Sequence, residues 1–196
     1  MSNANVGMIY PVWAPLVSHT EGSMPVYGTG RVLQEARNAT VTKTVNDNPL
    51  RGDDHDVDND NGVTAMNVSF ETTGLSDEDR VAVLGEKAVT DGGYLEGDGA
   101  TPWGGLGYVR RMRANGVRKY EAWLIFKVQF QERTQNTQTR DGQINWGTPT
   151  LEGAAQPLIV DNSEEAKYRY HKTFDTCAGA KGWLQDLLHV PASTST

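Results

Sequence analysis

The residues with the clearest chemical potential lie in an acidic segment, residues 51–62. This segment contains five aspartates: Asp53, Asp54, Asp56, Asp58 and Asp60. The last three alternate along the chain, a spacing that the oxygen ligands of Ca²⁺ adopt in loop sites. The pattern then breaks, because Asn61 stands where a calcium loop needs glycine and Asn67 where it needs a bidentate glutamate. Runs of charge are usually solvated, so we expect no metal site and keep Asp56, Asp58 and Asp60 only as low-specificity metal candidates.

The sequence offers little for catalysis. Cys177 and His171 are residue types that form a nucleophile and its base, but no third group or flanking signature accompanies them. Arg110 occupies the third glycine position of what would otherwise be a dinucleotide-binding motif. Zinc spacing is absent among the four histidines: His19, His55, His171 and His189. We therefore expect no enzyme activity and no cofactor.

A basic cluster surrounds the Asn115-Gly116 pair, which is a strong signal for a hairpin turn. Its members are Arg110, Arg111, Arg113, Arg118 and Lys119. A ribbon of this kind could enter a DNA groove, but the acidity of the whole chain opposes that role. A solvated hairpin, or an acceptor for the acidic segment, is the favoured interpretation.

Composition narrows the function classes further. The net charge is −7 and the isoelectric point is about 5.1, which disfavours binding through phosphate contacts. Only 37% of the 196 residues are hydrophobic and the mean hydropathy is −0.54, typical of a β-rich protein that buries surface on partners. The single Cys177 excludes an intrachain disulfide and fits a reducing compartment. No secretory signal is expected before Val12, and no run reaches the roughly 20 apolar residues of a membrane span.

Two strands flank the acidic segment and position it. Thr40, Thr42 and Thr44 alternate with apolar or long side chains, and Asn67, Ser69 and Glu71 alternate with Met66, Val68 and Phe70. A short helix follows, since Ser76 is a good N-cap before three acids and Gly85 a good C-terminal stop.

The rest of the chain is also predicted to be mostly strand. Residues 118–133 form the clearest amphipathic strand, whose predicted core face is Tyr120, Ala122, Leu124, Phe126, Val128 and Phe130. Pro11 and Pro15 predict that residues 6–17 form an edge strand or an extended arm. Residues 31–46 are predicted as one long strand, bent near residues 35–38. Residues 180–189 have helical spacing, with Trp183, Leu184, Leu187 and Leu188 on one face.

The predicted fold is mainly β, a β-sandwich or flattened barrel with one short flanking α-helix, a second helix at the C-terminus as an option, and extended arms and loops. We expect a single domain over residues 1–190, with an N-terminal arm at 1–18 and the acidic loop at 51–62. Residues 191–196 are predicted to be a disordered tail.

Four motifs follow one another in an order that resembles a known family. They are Trp13-Ala14-Pro15-Leu16-Val17, the strand pair within residues 36–71, the helix segment Gly74–Gly85, and Thr148-Pro149-Thr150-Leu151-Glu152-Gly153. In order and spacing they resemble the major tail protein, or tail tube protein, of siphophages, the long-tailed phages with flexible, non-contractile tails. The resemblance covers most of the chain.

The resemblance implies a structural virion protein of the phage tail-tube fold. Such subunits close into homohexameric rings that stack into a tube, the conduit for DNA ejection into the host cell. Implied partners are further copies of the chain and the tape-measure, tail-terminator and tail-tip proteins, with no membrane. DNA passes without specific binding, and assembly takes place in the host cytoplasm. The acidic loop, with Asp53, Asp54, Asp56, Asp58 and Asp60, would reach a neighbouring subunit, and the candidates for facing the lumen are Thr40, Thr42, Thr44, Asn67, Ser69 and Glu71.

Two other interpretations stay open at this point. A soluble calcium-dependent carbohydrate-binding β-sandwich would use the acidic loop for calcium and stack sugars on Trp13, Trp103, Trp123 and Trp146. The tube-like domains of contractile tails and secretion systems are the second, because they share the fold and fold alone does not fix function.

Overall fold

The computed structural model describes residues 3–33, 36–45, 48–52, 55–60, 62–97, 100–114, 116–134, 150–161 and 165–191. Side chains are described throughout these ranges except at 3–6, 36, 48–52, 55–60, 114 and 132–134. In this described part the chain is mainly β with two helices, which confirms the mainly-β part of the predicted fold.

The described strands are β1 (Asn3–Ser18), β2 (Val26–Tyr27), β3 (Arg31–Val32), β4 (Ala36–Val45), β5 (Asn48–Gly52), β6 (His55–Asp60), β7 (Val63–Thr72), β8 (Lys87–Ala88), β9 (Tyr94–Leu95), β10 (Gly104–Ala114), β11 (Val117–Thr134), β12 (Thr150–Ala155) and β13 (Arg169–Phe174). The described helices are α1 (Asp77–Leu84) and α2 (Cys177–Leu188).

Nine of the described strands form one sheet. Seven of them lie in the order β2–β1–β10–β11–β12–β7–β4, and neighbouring strands are antiparallel. β3 joins the sheet on β1, and β13 joins it on β11. The other four strands make two separate hairpins, β5–β6 and β8–β9. The pairing of β4 with β7 confirms the predicted strand pair, and the irregular register between Ala36 and Asn38 confirms the predicted bend.

The sheet curls around an interior core. Side chains from both halves of the sheet meet there, including the fully buried Trp13, Met66, Phe70, Leu106, Ile125, Phe130 and Leu151. As a result β1 and β4, which lie near opposite ends of the strand order, come into contact. A second core lies on the outer side of β1, β10 and β11, where α2 packs.

Strand β11 departs from its predicted alternation near its middle. Gly104 is opposite Val128 and Leu106 is opposite Ile125, so two residues of β11, Phe126 and Lys127, face one residue of β10. An extra residue of this kind is a β-bulge, and it exchanges the two faces of the strand beyond it. The residues predicted to form one core face therefore lie on two different faces of the strand, and the prediction of a single face is wrong.

The two halves of β11 turn different alternate residues toward the interior core: odd-numbered residues before the bulge and even-numbered residues after it. Ala122, Leu124 and Phe126 pack under α2 in the outer core. Val128 and Phe130 belong to the interior core, together with Trp123 and Ile125, which the alternation assigned to the polar face. Both faces of the first half are buried, because one is covered by α2 and the other by the curled sheet.

The second half of β1 lies inside the sheet, between β10 on one side and β2 and β3 on the other, so the predicted edge strand or arm is wrong for this half. Residues 3–9 pair with β10 alone in the described structure and form an edge, as predicted. Pro11 fits because it falls in a second bulge, between Ile9 and Val12, where Tyr10 has φ of 56° and no ladder N–H is needed. The Pro11 carbonyl still accepts a hydrogen bond from the Leu33 amide, at 2.9 Å.

Helix α1 follows its predicted signals. The Ser76 hydroxyl accepts a hydrogen bond from the Asp79 amide N–H at 3.2 Å, and Gly85 ends the helix with φ of 74°. Such an N-cap contributes about 1 kcal/mol, and burial of Val83 in the interior core contributes about 1.5–3 kcal/mol. Trp13 donates its indole N–H to the Ala82 carbonyl at 3.2 Å, which ties the helix to β1.

Helix α2 begins three residues before its predicted start, because Thr176 caps it by accepting the Gly179 amide at 3.1 Å. Ala180, Leu184 and Leu188 face the outer core, which confirms the predicted apolar stripe. The described chain thus has two helices, and the single-helix version of the prediction is wrong.

Two further predictions need correction. Residues 31–46 are not one strand, since β3 pairs with β1 while β4 pairs with β7. The predicted loop 51–62 consists largely of a hairpin, because β5 and β6 are paired. The long charged segment forms its own two-stranded ladder instead of an irregular loop.

Several predicted features lie outside the described residues. They are Asp53, Asp54, Asn61, Asn115, Trp146, Thr148, Pro149 and the tail residues 192–196.

Two glycine-to-alanine substitutions, one at a tightly packed position and one at an open position, test the packing of β1 on β10. A Cβ added at Gly104 would collide with the Trp13 ring and the Ala14 carbonyl oxygen. Gly104→Ala is therefore expected to lower the free energy of unfolding by about 1–3 kcal/mol. Gly182→Ala is the matched control: no atom lies within 4 Å of its Cβ position, and alanine in a helix should raise stability by about 0.5–1 kcal/mol. Urea denaturation measures both, and equal effects would contradict this packing.

Candidate assembly surface

One outer face of the sheet is polar and open. It spans the second half of β11 with β12, β7 and β4, and cross-strand pairing aligns its side chains in rows. One row is Gln131, Glu152, Ser69 and Thr40, and the next is Gln129, Ala154, Asn67 and Thr42. A shallow groove of about 480 Å³ runs over both rows. We call this surface the polar face.

The curl of the sheet explains why these residues point outward. Met66, Val68 and Phe70 turn into the interior core, so the alternate residues of β7 must face away from it. Glu152 and Ala154 are exposed because Leu151, Gly153 and Ala155 take the inward positions of β12. The polar face is thus the outer surface of the strands that close the interior core.

The structure brings the six predicted lumen residues onto this one face. Thr40, Thr42, Thr44 and Asn67 are exposed, and Ser69 and Glu71 are half-buried. Their shared face was a sequence prediction, and the register of β4 on β7 confirms it. Sequence alternation assigned Gln129 and Gln131 to the polar side of β11 but could not show that they join this surface, because the order that places β11 beside β12 and β7 depends on distant contacts.

The polar face is neutral to acidic. Its rows consist of hydroxyls and amides with the carboxylates of Glu71 and Glu152. The Arg37 guanidinium reaches Glu71 at 3.6 Å from beside the face. Lys127 lies two residues before Gln129 on β11, outside both rows, and its ammonium group sits 4.6 Å from the centre of the Trp103 ring. A polyanion near this face meets little attraction.

The strands at both ends of the polar face offer unpaired edges. β4 is the last strand in the order, and among the described residues β7 is its only ladder partner. On the other side, β10 follows β11 only as far as Val128, so in the described structure residues 129–134 have β12 on one edge and no strand on the other. Exposed edges of this kind favour pairing with another chain.

The acidic segment extends from the β4–β7 end of this surface. β5 and β6 have their main described contacts with each other. Asp56, Asp58 and Asp60 therefore lie on a strand, and the wrapped calcium loop suggested by their spacing is wrong for this backbone. Among the described side chains, no group of three or more His, Cys, Asp or Glu residues could hold a metal ion.

A buried carboxylate cluster lies on another part of the sheet, and the sequence did not predict it. Glu121 is 7% exposed and accepts hydrogen bonds from the Trp123 indole at 2.8 Å and the Arg110 guanidinium at 2.5 Å. His171 stacks on Trp123 at 4.4 Å, and Arg169 lies 4.3 Å from the ring centre. Trp123 connects the cluster to the interior core.

The Glu121 carboxylate has its hydrogen-bond partners within this cluster. Burial raises the pKa of the nearby Tyr108, and the positive charges of Arg169 and Arg110 act in the opposite direction. His171 is thus a stacking partner of Trp123, whereas Cys177 starts α2. Within the described part of the chain no hydrogen bond joins these two residues, so the structure does not assemble a nucleophile and base from them.

The described tryptophans do not form a common stacking platform for sugars. Trp13 is fully buried and Trp123 is 7% exposed. Trp103 is half-buried beneath Lys127.

Comparison with known proteins does not assign the chain to a family. A scan against protein-family models finds no match, and no curated protein matches the sequence. Neither helix in the described residues is long and apolar enough to cross a membrane.

Adjacent residues of β7 test which side of the sheet is open. Phe70→Ala should lower the free energy of unfolding by about 3–5 kcal/mol, since it removes a fully buried ring. Ser69→Ala, one residue earlier on the polar face, should change it by no more than about 0.5 kcal/mol. Denaturant unfolding of both variants makes the comparison, and a large loss for Ser69→Ala would contradict the assigned faces.

Proposed function

We propose that this chain is the subunit of a phage tail tube, of the kind found in siphophages with flexible, non-contractile tails. In this proposal six copies close into a ring, and rings stack into the conduit through which DNA leaves the virion. The observation that carries it is the polar face, a neutral-to-acidic surface on strands that end in an unpaired edge on each side.

The two edges support closure into a ring. If β4 of one copy pairs with the second half of β11 in the next, the contact is heterologous, because two different surfaces meet. Repeated rotation by the same angle closes such contacts into a ring, and closure removes the exposed edges. The polar faces of all copies would then form one continuous inner wall.

The chemistry of the polar face suits passage of DNA. A duplex carries one negative charge per about 1.7 Å of its length, so lysines and arginines on the wall would hold it. Hydroxyls and amides, with Glu71 and Glu152 among them, offer no strong attachment. Thr40, Thr42, Thr44, Asn67, Ser69 and Glu71 are the proposed lumen residues, joined by Gln129 and Gln131.

The other half of the curled sheet would form the outside of the tube. The two halves share the interior core, so their outer surfaces point in opposite directions. Helix α2 covers the outer side of β1, β10 and β11 and would face away from the lumen. Tape-measure, tail-terminator and tail-tip proteins are the partners that a tube of this kind requires, inside it and at its ends.

Electron microscopy of the purified protein tests this function. Concentrated protein in negative stain is expected to contain rings with a central hole, or hollow tubes built from them. The preparation should be repeated with calcium added, because the alternative carbohydrate-binding module predicts a monomer that calcium stabilises. A strictly monomeric protein whose melting temperature rises with calcium would contradict the tail-tube function.

A further inference from the structure

Strand β13 has an outer edge that no described strand covers. It pairs with β11 along residues 169–174, and among the described strands β11 is its only ladder partner. The four central residues of β13, from Tyr170 to Thr173, are all exposed. Ring closure through β4 and the second half of β11 would leave this edge open. We call it the β13 edge.

Hydrogen bonds just ahead of β13 show which way its residues point. The Phe126 amide of β11 donates to the Tyr168 carbonyl oxygen at 3.1 Å, so Tyr168 faces β11. Lys167 faces the other way, because it exchanges two backbone hydrogen bonds with Leu158, at 2.8 and 2.9 Å. The backbone groups of successive strand residues alternate in this direction.

The same alternation continues along β13. Tyr170 and Lys172 bond toward β11, whereas His171 and Thr173 direct their amide N–H and carbonyl groups to the β13 edge. In the described part of the chain Leu158 covers this edge only ahead of β13. An extended peptide placed beside His171 and Thr173 would therefore continue the pairing that Leu158 begins.

The side chains along this edge are cationic. Among the described residues, neither Arg169 nor Lys172 has a carboxylate within ion-pair distance, and their contacts are with aromatic rings. Asp175, the acid that follows β13, is paired with Lys119. Two cations without ion-pair partners beside an open backbone edge favour an anionic partner.

One face of β13 adds an aromatic surface. Tyr170 is 43% exposed, and its ring meets the Trp183 ring of α2 at 5.2 Å. Phe174 lies 6.1 Å from the same Trp183 ring. The side chains of an added strand would project alternately to the two faces. The complementary strand has acidic residues on the side of Arg169 and His171, with apolar residues between them.

We propose that the β13 edge binds an extended acidic segment of a partner protein, which adds to the sheet as a strand. The backbone groups of His171 and Thr173 supply its hydrogen bonds, and Arg169 and Lys172 select its charge. Cationic side chains on a sheet edge oppose pairing with strands of the same charge. They therefore exclude a basic strand and admit an acidic one. This binding goes beyond the tail-tube function and does not require the ring.

A nucleic acid duplex is the other class of polyanion that a cationic edge could attract. A duplex has no row of amide N–H and carbonyl groups to pair with His171 and Thr173. The net charge of −7 also repels it at long range. Binding of a DNA duplex is therefore included as an opposing outcome of the test.

A synthetic peptide is the probe for this site. It has about eight residues, the length of an ordinary strand, and alternates glutamate with valine. Fluorescence anisotropy with the full-length protein measures its affinity. The matched control is the same peptide with every backbone amide N-methylated, which keeps the charge but removes the N–H donors. The unmethylated peptide is expected to bind at least about tenfold more tightly, and its binding should weaken between about 0.1 M and about 1 M salt.

Two substitutions separate the backbone contribution from the charge. Thr173→Pro removes an outward N–H without removing a hydrogen bond to β11, so it should weaken peptide binding at least about tenfold. Thr173→Val keeps that N–H and should bind like wild type. Lys172→Glu should also weaken binding at least about tenfold. Lys87→Glu, the same charge change at an exposed position on β8, should not.

Amide hydrogen exchange followed by NMR locates the added strand. In the free protein the Lys172 amide should exchange slowly, because it is bonded to β11, whereas the His171 and Thr173 amides should exchange fast. The peptide is expected to slow exchange at these two residues at least about tenfold, as hydrogen bonding to an added strand requires.

Several results would overturn this proposal. They are a wild-type protein that does not bind the glutamate–valine peptide, equal binding of the N-methylated peptide, unchanged exchange at His171 and Thr173, or a DNA duplex that binds the edge in place of the peptide. Circular dichroism checks that Thr173→Pro is folded. If it is not, Lys172→Glu and the exchange measurement still decide the question. Rings or tubes that form without peptide binding would refute the β13 site and leave the tail-tube function intact.

Discussion

The extra residue in β11 is the constraint on which the rest of the structure depends. At Phe126 and Lys127 the strand bulges, exchanges its faces and changes its neighbour from β13 to β12. Tyr27 stabilises this bulge, because its hydroxyl donates a hydrogen bond to the Phe126 carbonyl oxygen at 2.7 Å. Because of this bulge one strand belongs to two differently covered surfaces: the first half is buried on both sides, and the second half has one buried side and one polar side. An uninterrupted strand would bury its glutamines or expose Val128 and Phe130.

The open polar face and the unpaired strand ends have the same origin. Helix α2 is long enough to cover β1, β10 and the first half of β11, but among the described residues no helix packs on the outer side of the strands beyond the bulge. β10 begins at Gly104, opposite Val128, which leaves the last part of β11 without a neighbour on that side in the described structure. The fold is therefore well packed at its centre and incomplete at one face and two edges, a combination that assembly with further copies would resolve. The buried Glu121 carboxylate, in contrast, has its hydrogen-bond partners within the molecule.

Local signals in the sequence were sufficient for the elements that depend on local chemistry. Ser76 and Gly85 predicted the ends of α1, and the alternation in residues 65–71 predicted the buried side of β7 together with the polar residues opposite it. Predictions failed where a distant contact decides the outcome. The bulge at Phe126 is held by the distant Tyr27, whose ring packs where Gly105 has no side chain. The internal position of the second half of β1 depends on how Pro11 fits a second bulge. Glu121 is buried with Arg110 and Trp123 as its hydrogen-bond donors. Period-2 alternation gives the faces of a single strand and carries no information on strand order, so it could not place Gln129 and Gln131 in the same rows as Asn67 and Ser69.

The orientation of the polar face inside the assembled tube is the central claim, and thiol accessibility measures it directly. In a Cys177→Ser background, which removes the single native thiol, one variant carries Thr42→Cys on the polar face and another carries Asp186→Cys on the exposed side of α2. A maleimide polymer too bulky to enter a narrow tube should label both variants in dispersed protein. After assembly the account predicts that Thr42→Cys becomes protected while Asp186→Cys still reacts. Equal labelling of the two variants in assembled tubes would contradict it.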